Sequence, residues 1–208
     1  MKACIAGCQY LPPASYFAQW RHCESLTLEQ YENYQKRTWR NRTAILGRGE
    51  PLYLTVPLRK GKHEQLPIRE VRISYDTDWP SLHLRSIAAA YGKTAFFEEV
   101  MAALEPLLHK RFDTLWELNL STLEAITALL PEKWLFDFSE QWTGIYPEGY
   151  TDLRYGVSPG ISGAPSDYPS YPQIHQGESH HVYNLSIIDA LCHLGPASSN
   201  YLSRWPIR

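Results

Sequence analysis

In the first third of the chain, apolar positions come in short runs broken by proline and polar pairs. That spacing predicts strands rather than long helices. Residues 3–8 form a compact apolar run that reads as a buried strand, ended by Gln9-Tyr10-Leu11-Pro12-Pro13. Ser15 is placed to cap a helix over 16–22, with Tyr16, Trp20 and Cys23 on one side. A strand, a polar proline-bearing loop and a helix put Gln9 where ligands are commonly held, at a strand's carboxyl end. A second strand is predicted over 25–29, and a β-hairpin from 44–46 and 52–58 around Gly47-Arg48-Gly49-Glu50-Pro51. Residues 68–74 alternate apolar and charged side chains as a half-buried strand would.

From residue 76 the period changes. Asp76-Thr77-Asp78-Trp79-Pro80 reads as a turn and helix start, followed by a helix over 81–91 with His83, Ile87 and Tyr91 on one face. A second helix spans 95–108, kinked or shortened near its end by Pro106. A third spans 115–130, capped by Asp113 or Thr114 and closed by Pro131. Residues 134–138 read as another strand. Residues 141–179 are rich in Gly, Pro, Ser and Tyr, and their many tyrosines predict an ordered loop folded over the body. Asn184 is placed to cap an amphipathic helix over 185–194, stopped by Gly195-Pro196, with a last turn through Tyr201 and Leu202. Strands first and helices after predict an α/β or α+β fold, a mixed sheet from the N-terminal half with helices packed on it. One domain over 1–208 is expected.

Composition narrows the class. At 208 residues, 44% hydrophobic and 20% charged, the chain is an ordinary globular one. No apolar run approaches the roughly 20 residues a membrane span needs. The run at 3–8 is too short for a signal-peptide core, so a cytoplasmic protein is expected. The four cysteines Cys4, Cys8, Cys23 and Cys192 include no CxxC pair, which points to buried free thiols rather than a disulfide framework or a zinc site. There is no GxxxxGK[ST], no GxSxG and no HExxH, and Gly47-x-Gly49 lacks the third glycine of a dinucleotide fingerprint. Neither a metal nor a cofactor is called for.

Charge patterning adds one feature. Residues 34–42 read YQKRTWRNR, with Lys36, Arg37, Arg40 and Arg42 and no acid, in a chain whose net charge is −2. Tyr34, Trp39 and Asn41 are interleaved with the cations. Guanidinium forks grip phosphate oxygens, and rings stack on a base or sugar face. The ordinary alternative is a solvated charged loop pairing with Glu29 and Glu32. A nucleic-acid partner is disfavoured, because such binders show a basic domain and this chain has pI ≈ 6.4. His83 could serve as a general base, against the commoner role of a hydrogen-bonded structural histidine. Asp152 and Arg154 would share a face of an extended segment, as a local ion pair or with Arg154 as a second anion ligand. Asp189, inside an apolar helix, needs a donor if buried, and an arginine of the basic stretch would supply one.

Several of these segments together resemble the WbqC-like protein family, found in bacterial surface-polysaccharide gene clusters. The resemblance rests on Gln9-Tyr10-Leu11-Pro12 followed by Tyr16-Phe17, on Glu29, Glu32, Tyr34 and Lys36 leading into Arg40-Asn41-Arg42, and on Leu54-Thr55-Val56-Pro57. It continues through Trp79, His83 and Tyr91, Phe96-Phe97, Asp152-x-Arg154 and Tyr171-Pro172-Gln173 to the run from Asn184 to Asp189 and Gly195-Pro196. Where relatives carry a His-Pro-Lys-like turn, this chain has Ser158-Pro159-Gly160. The resemblance implies transfer of glycine or another amino acid to an amino sugar during O-antigen synthesis, on a sugar nucleotide. For such chemistry Glu32 or His83 is the expected base, and Asn41 or Arg42 the oxyanion donor. Lys36, Arg40, Arg42 and Arg154 would meet the pyrophosphate, Trp39 or a tyrosine would stack on the base, and Gln9, Tyr10, Tyr34 and Gln173 would complete the ligand set. The alternative is a non-catalytic protein of the same pathway that binds a sugar nucleotide or a partner.

Overall fold

The computed structural model describes residues 2–48, 50–146, 148–154, 168–174 and 181–206. Its centre is β1 (Lys2–Gly7), whose Cys4, Ile5 and Ala6 are all at most 3% exposed. A strand buried on both faces needs this unbroken apolar run, and it sits inside a parallel sheet. The order is β5-β2-β1-β6, with every pairing parallel. β2 (Cys23–Glu29) returns beside β1 after helix α1 (Ala14–Trp20), a βαβ unit. The Tyr16 hydroxyl donates to the Gly7 carbonyl at 2.9 Å, fixing the helix over the strand's end. Trp20 stacks on Phe136 and Phe17 meets Trp134 edge-on, sealing α1 against the segment before β5 (Asp137–Phe138).

The hairpin forms as the sequence indicates, β3 (Arg42–Leu46) against β4 (Pro51–Thr55), but as a separate two-stranded sheet. The helices follow in order: α2 (Trp79–Tyr91), α3 (Phe97–His109), α4 (Leu115–Ala128), α5 (Ile187–Leu194) and α6 (Ser198–Ser203). Thr114 caps α4 in a full capping box with Glu117. Pro106 is accommodated inside α3, which runs on to His109. At the end of α5, Gly195 has φ 53°, and a Cβ there would lie 2.5 Å from the Phe96 ring, so only glycine suits the turn.

Several local expectations are corrected. Residues 68–74 are not a strand: Ile68–Glu70 is a 3₁₀ turn, followed by isolated bridges from Arg72 to Thr114 and Ile73 to Leu58. The buried apolar set is Ile68, Val71 and Ile73, a spacing of three and then two, which a turn satisfies and a strand does not. The residue at the N-cap of α1 is Pro13, and Ser15 instead donates its backbone N–H to the Asn184 side chain at 3.2 Å. Asn184 takes a left-handed conformation at φ 53°, and Ser186 caps α5. The long Gly/Pro/Tyr segment contributes β6 (Tyr150–Asp152), which pairs with Ala3, Cys4 and Ile5. The expectation for its remainder, including Ser158-Pro159-Gly160, falls largely outside the described residues.

The cysteine expectation is half corrected. Cys8 and Cys192 are free and buried, but Cys4 and Cys23 form a disulfide across the adjacent strands β1 and β2. The loop they close has a sequence separation of 19. Closing a loop of that size stabilises by about 3 kcal/mol in the chain-entropy picture. A Cys4→Ser/Cys23→Ser variant is therefore expected to lose about that much in urea denaturation, and reduction of the native chain should reproduce the loss. A loss below about 0.5 kcal/mol, the size of an ordinary surface change, would show that the bond does not hold β2 in place.

Candidate functional site

The carboxyl ends of the four parallel strands deliver chemistry to one edge of the sheet. β1 ends at Gly7, β2 at Glu29, β5 just before Ser139 and β6 at Asp152. Five Asp, Glu, Lys or Arg side chains are buried among the described residues, and four of them, Glu29, Glu32, Arg40 and Arg154, meet at this edge. A buried charge must be paired and hydrogen-bonded, and each of these is. Arg40 grips Glu32 bidentately, Nε to Oε1 at 2.8 Å and Nη2 to Oε2 at 2.5 Å. Its Nη2 also donates to the Arg154 carbonyl at 3.4 Å. Arg154 in turn forks onto Asp152, donates to the carbonyls of Thr143 and Gly144, and lies 3.6 Å from Glu29. Glu29 accepts from Ser139 Oγ at 2.7 Å and from the Tyr31 N–H at 2.9 Å.

Close approach of backbone makes room for this knot. A Cβ on Gly7 would sit 2.6 Å from Glu32 Oε1 and 3.3 Å from Arg40 Nη2. Burial raises the Glu32 carboxyl above its ordinary value of 4.5, and Arg40 opposes that rise. The Tyr146 hydroxyl is likewise raised, by burial first and then by Glu29.

Above the knot lies an open groove of about 580 Å³ lined by Tyr31, Asn33, Tyr34, Gln35, Lys36, Glu64 and Trp142. Tyr31 and Asn33 face it, while Glu32 between them turns inward to Arg40. Trp142 is 45% exposed, and the Arg154 guanidinium lies 4.7 Å from its ring centroid. Tyr31 is held similarly, with Arg69 at 5.0 Å. Lys36 reaches Glu64 at 2.9 Å, and both side chains are more than half exposed, so this pair is weak and exchangeable. The groove thus presents aromatic faces, two amides and one readily released cation, at the strand ends where α/β sheets bind ligands.

The structure distributes the residues singled out in the sequence among several places. Tyr34 and Lys36 line the groove, while Glu32, Arg40 and Arg154 lie in the buried knot beside it. Asn41 is turned inward, accepting from the Tyr34 hydroxyl and donating to the Val56 carbonyl. Arg40 and Arg154 are spent on buried acids, and Arg42 stacks on Tyr53 in the hairpin at 4.2 Å. Trp39 is 1% exposed and offers no face to a base. Gln9 follows β1 but is 3% exposed. His83 and Tyr10 form their own buried contact, 3.0 Å from Nδ1 to the hydroxyl, beside Trp79. Burial holds the His83 imidazole down at about 4, so it is neutral near pH 7. Gln173 bonds Asp189, which also accepts from Tyr171, and Asp189 therefore anchors a tyrosine and an amide rather than an arginine.

Ser139, Tyr31 and Trp142 escaped the sequence reading, and Glu29 entered it only as a pairing partner for the basic stretch. Glu29 had a usable signal, an acid ending an apolar strand. Trp142 had none, because nothing in a Gly/Pro/Tyr-rich segment marks which aromatic returns to the sheet.

Fold and site together define an α/β protein with a polar, aromatic-lined groove at the carboxyl edge of a parallel sheet. The chain belongs to the WbqC-like protein family, whose model matches residues 8–147. It is also similar to Uncharacterized protein Rv1507c of Mycobacterium tuberculosis, 27% identical over 226 residues that cover 97% of each chain. No solved structure matches. Among the described residues no helix is long and apolar enough to cross a membrane, and no cluster of His, Cys, Asp or Glu is arranged to hold a metal ion.

Proposed function

We propose that the protein binds a nucleotide-linked amino sugar in the groove above the Glu32–Arg40 pair and serves acylation of the sugar's amine during synthesis of a bacterial surface polysaccharide. The observation that carries the binding half is the lining itself: Tyr31, Tyr34 and Trp142 beside Asn33, Gln35 and Lys36 at the strand ends. Rings suit a base or pyranose, amides suit hydroxyls, and Lys36 suits a phosphate once it releases Glu64. The transfer half rests on the family resemblance; Glu32 is fully buried with both carboxyl oxygens on Arg40 and does not line the groove, so the reading assigns it to holding the site rather than to proton transfer. The reading assigns the cytoplasm, where nucleotide-linked sugars are made. There, thiol buffers would hold the Cys4–Cys23 pair reduced for part of its life.

The test is a thermal-shift series with UDP-, GDP- and dTDP-linked amino sugars. A ligand at 100 times its dissociation constant stabilises by roughly 2.7 kcal/mol. Trp142→Ala and Lys36→Ala are each expected to weaken binding about tenfold while leaving stability within about 0.5 kcal/mol, and Arg42→Ala to leave binding unchanged. No shift with any of these ligands would remove the sugar-nucleotide reading. A shift without a mass gain on the sugar, when glycine and ATP, glycyl-tRNA or a glycyl thioester is supplied, would leave a binding protein without transfer.

A further inference from the structure

The Cys4–Cys23 disulfide sits at the amino end of β2, whereas the groove borders that strand's carboxyl end. Its two sulfurs have different surroundings. Cys4 is 3% exposed in the middle of β1, paired with Leu26 of β2 on one side and Thr151 of β6 on the other. Cys23 opens β2, is only partly buried, and lines a hollow of about 300 Å³ with Trp20, Arg21, Ser25, Lys133 and Trp134. Cys4 does not line that hollow.

Thiol–disulfide exchange is a displacement in which the incoming thiolate strikes one sulfur and expels the other, and access decides which sulfur is struck. The flanking strands close the approach to Cys4. The hollow leaves the approach to Cys23 open. The Gln19 carbonyl lies 3.6 Å from Cys23 Sγ, placed to accept from the thiol of the opened form. The other two cysteines do not compete: Cys8 and Cys192 are buried, and burial raises both thiols well above their ordinary value, so neither supplies a thiolate near pH 7.

We propose that Cys23 is a thiol-exchange site: a small-molecule thiol of the glutathione class enters the hollow and opens the bond at Cys23, and Cys4 is the resolving cysteine that closes it again. The hollow is at the small end of ligand pockets, which suits a small thiol. Its lining carries both signs of charge, Lys133 and Glu24 beside the Arg21–Glu132 pair, which suits a thiol bearing an ammonium and carboxylates. In the first step the attacker's sulfur bonds to Cys23 Sγ as the protein's S–S bond breaks. Cys4 leaves with the electron pair and takes up the proton the attacker gave up. The mixed disulfide then has two fates. Cys4 attacks Cys23 and expels the small thiol, restoring the bond, or a second small thiol attacks the first one's sulfur and frees Cys23. The second fate oxidises two small thiols to their disulfide and reduces the protein by two electrons.

The test is acid quenching and peptide mass mapping of the native full chain after exposure to glutathione. In the oxidised chain, the rate of opening should rise in proportion to reduced glutathione, because the thiol attacks the folded protein. Ser25→Trp, at an exposed position on the hollow's wall, should slow that opening at least about tenfold with an unchanged urea midpoint. With oxidised glutathione, Cys4→Ala should acquire the adduct at Cys23, and Cys23→Ala should acquire it at Cys4 at least about tenfold more slowly. Cys8 and Cys192 should stay unmodified in the folded chain. The proposal is overturned if opening proceeds at a rate independent of thiol concentration, which is the signature of exchange through unfolding, or if Cys4 reacts as fast as Cys23. The wild-type kinetics decide the question even where a cysteine variant folds poorly. A thioredoxin-type dithiol protein is run beside glutathione, and opening by that protein alone would overturn the small thiol as the attacker.

Discussion

Arg40→Ala is expected to lose about 3–5 kcal/mol of folding free energy, a large share of the roughly 5–15 kcal/mol that holds a domain folded. The side chains of Arg40 and Glu32 are 3% and 1% exposed, so truncating the arginine strands a carboxylate in the interior. The cost is mostly that of the orphaned Glu32, not the net worth of the pair. Removing both charges is expected to be milder: Glu32→Leu/Arg40→Met should regain at least half of the loss. Urea denaturation of the three proteins measures this. A single-variant loss below about 1 kcal/mol would mean that water reaches the pair. The same argument disqualifies Arg40 as a probe of ligand binding, because a large loss of folding free energy cannot be told from a loss of ligand contacts. Lys36 and Trp142, at the groove's surface, are the residues to change.

Acid should destabilise the protein through His83. Its imidazole is held at about 4 by burial, against 6.5 in the unfolded chain. Above 6.5 both states are neutral at this site and its contribution is complete. Between 6.5 and 4 the unfolded chain takes up a proton that the folded one refuses, so stability falls as pH falls. Integrated over that window, the loss is about 3 kcal/mol. Carboxylates titrate in the same range, and Glu32, raised rather than lowered, acts in the opposite sense: its contribution is lost as pH rises above 4.5. The measurement is therefore a difference, the pH dependence of urea midpoints for the native chain minus that for His83→Gln. A flat difference between pH 7 and 4 would show that His83 is protonated in place. The same result bears on chemistry, since a neutral histidine at about 4, bonded to Tyr10, holds two elements together.

The sequence made the α/β class legible because period and length are local properties. β1, β2, the hairpin and the long helices follow from apolar spacing, and Thr114 from its capping box. Where tertiary bonds compete with local signals, the local signals lost. Ser15 looks like a cap, yet its N–H goes to Asn184, 169 residues away in sequence. Residues 68–74 alternate on paper, but no strand lies beside them for long enough to make alternation count.

For the site, the sequence determined the inventory: a cation-dense, aromatic-bearing stretch over 34–42, acids just before it, and Asp152 with Arg154 far downstream. Only the tertiary structure decided their use. Charge density in sequence does not say which cations meet water, because that depends on which acids the fold brings opposite them. Glu32 is eight residues before Arg40, but Arg154 reaches the same edge only because β6 pairs with β1. That pairing, three residues long and unmarked by any strong pattern, commits Arg154 to the buried knot beside the groove, while Lys36 and Trp142 line the groove itself.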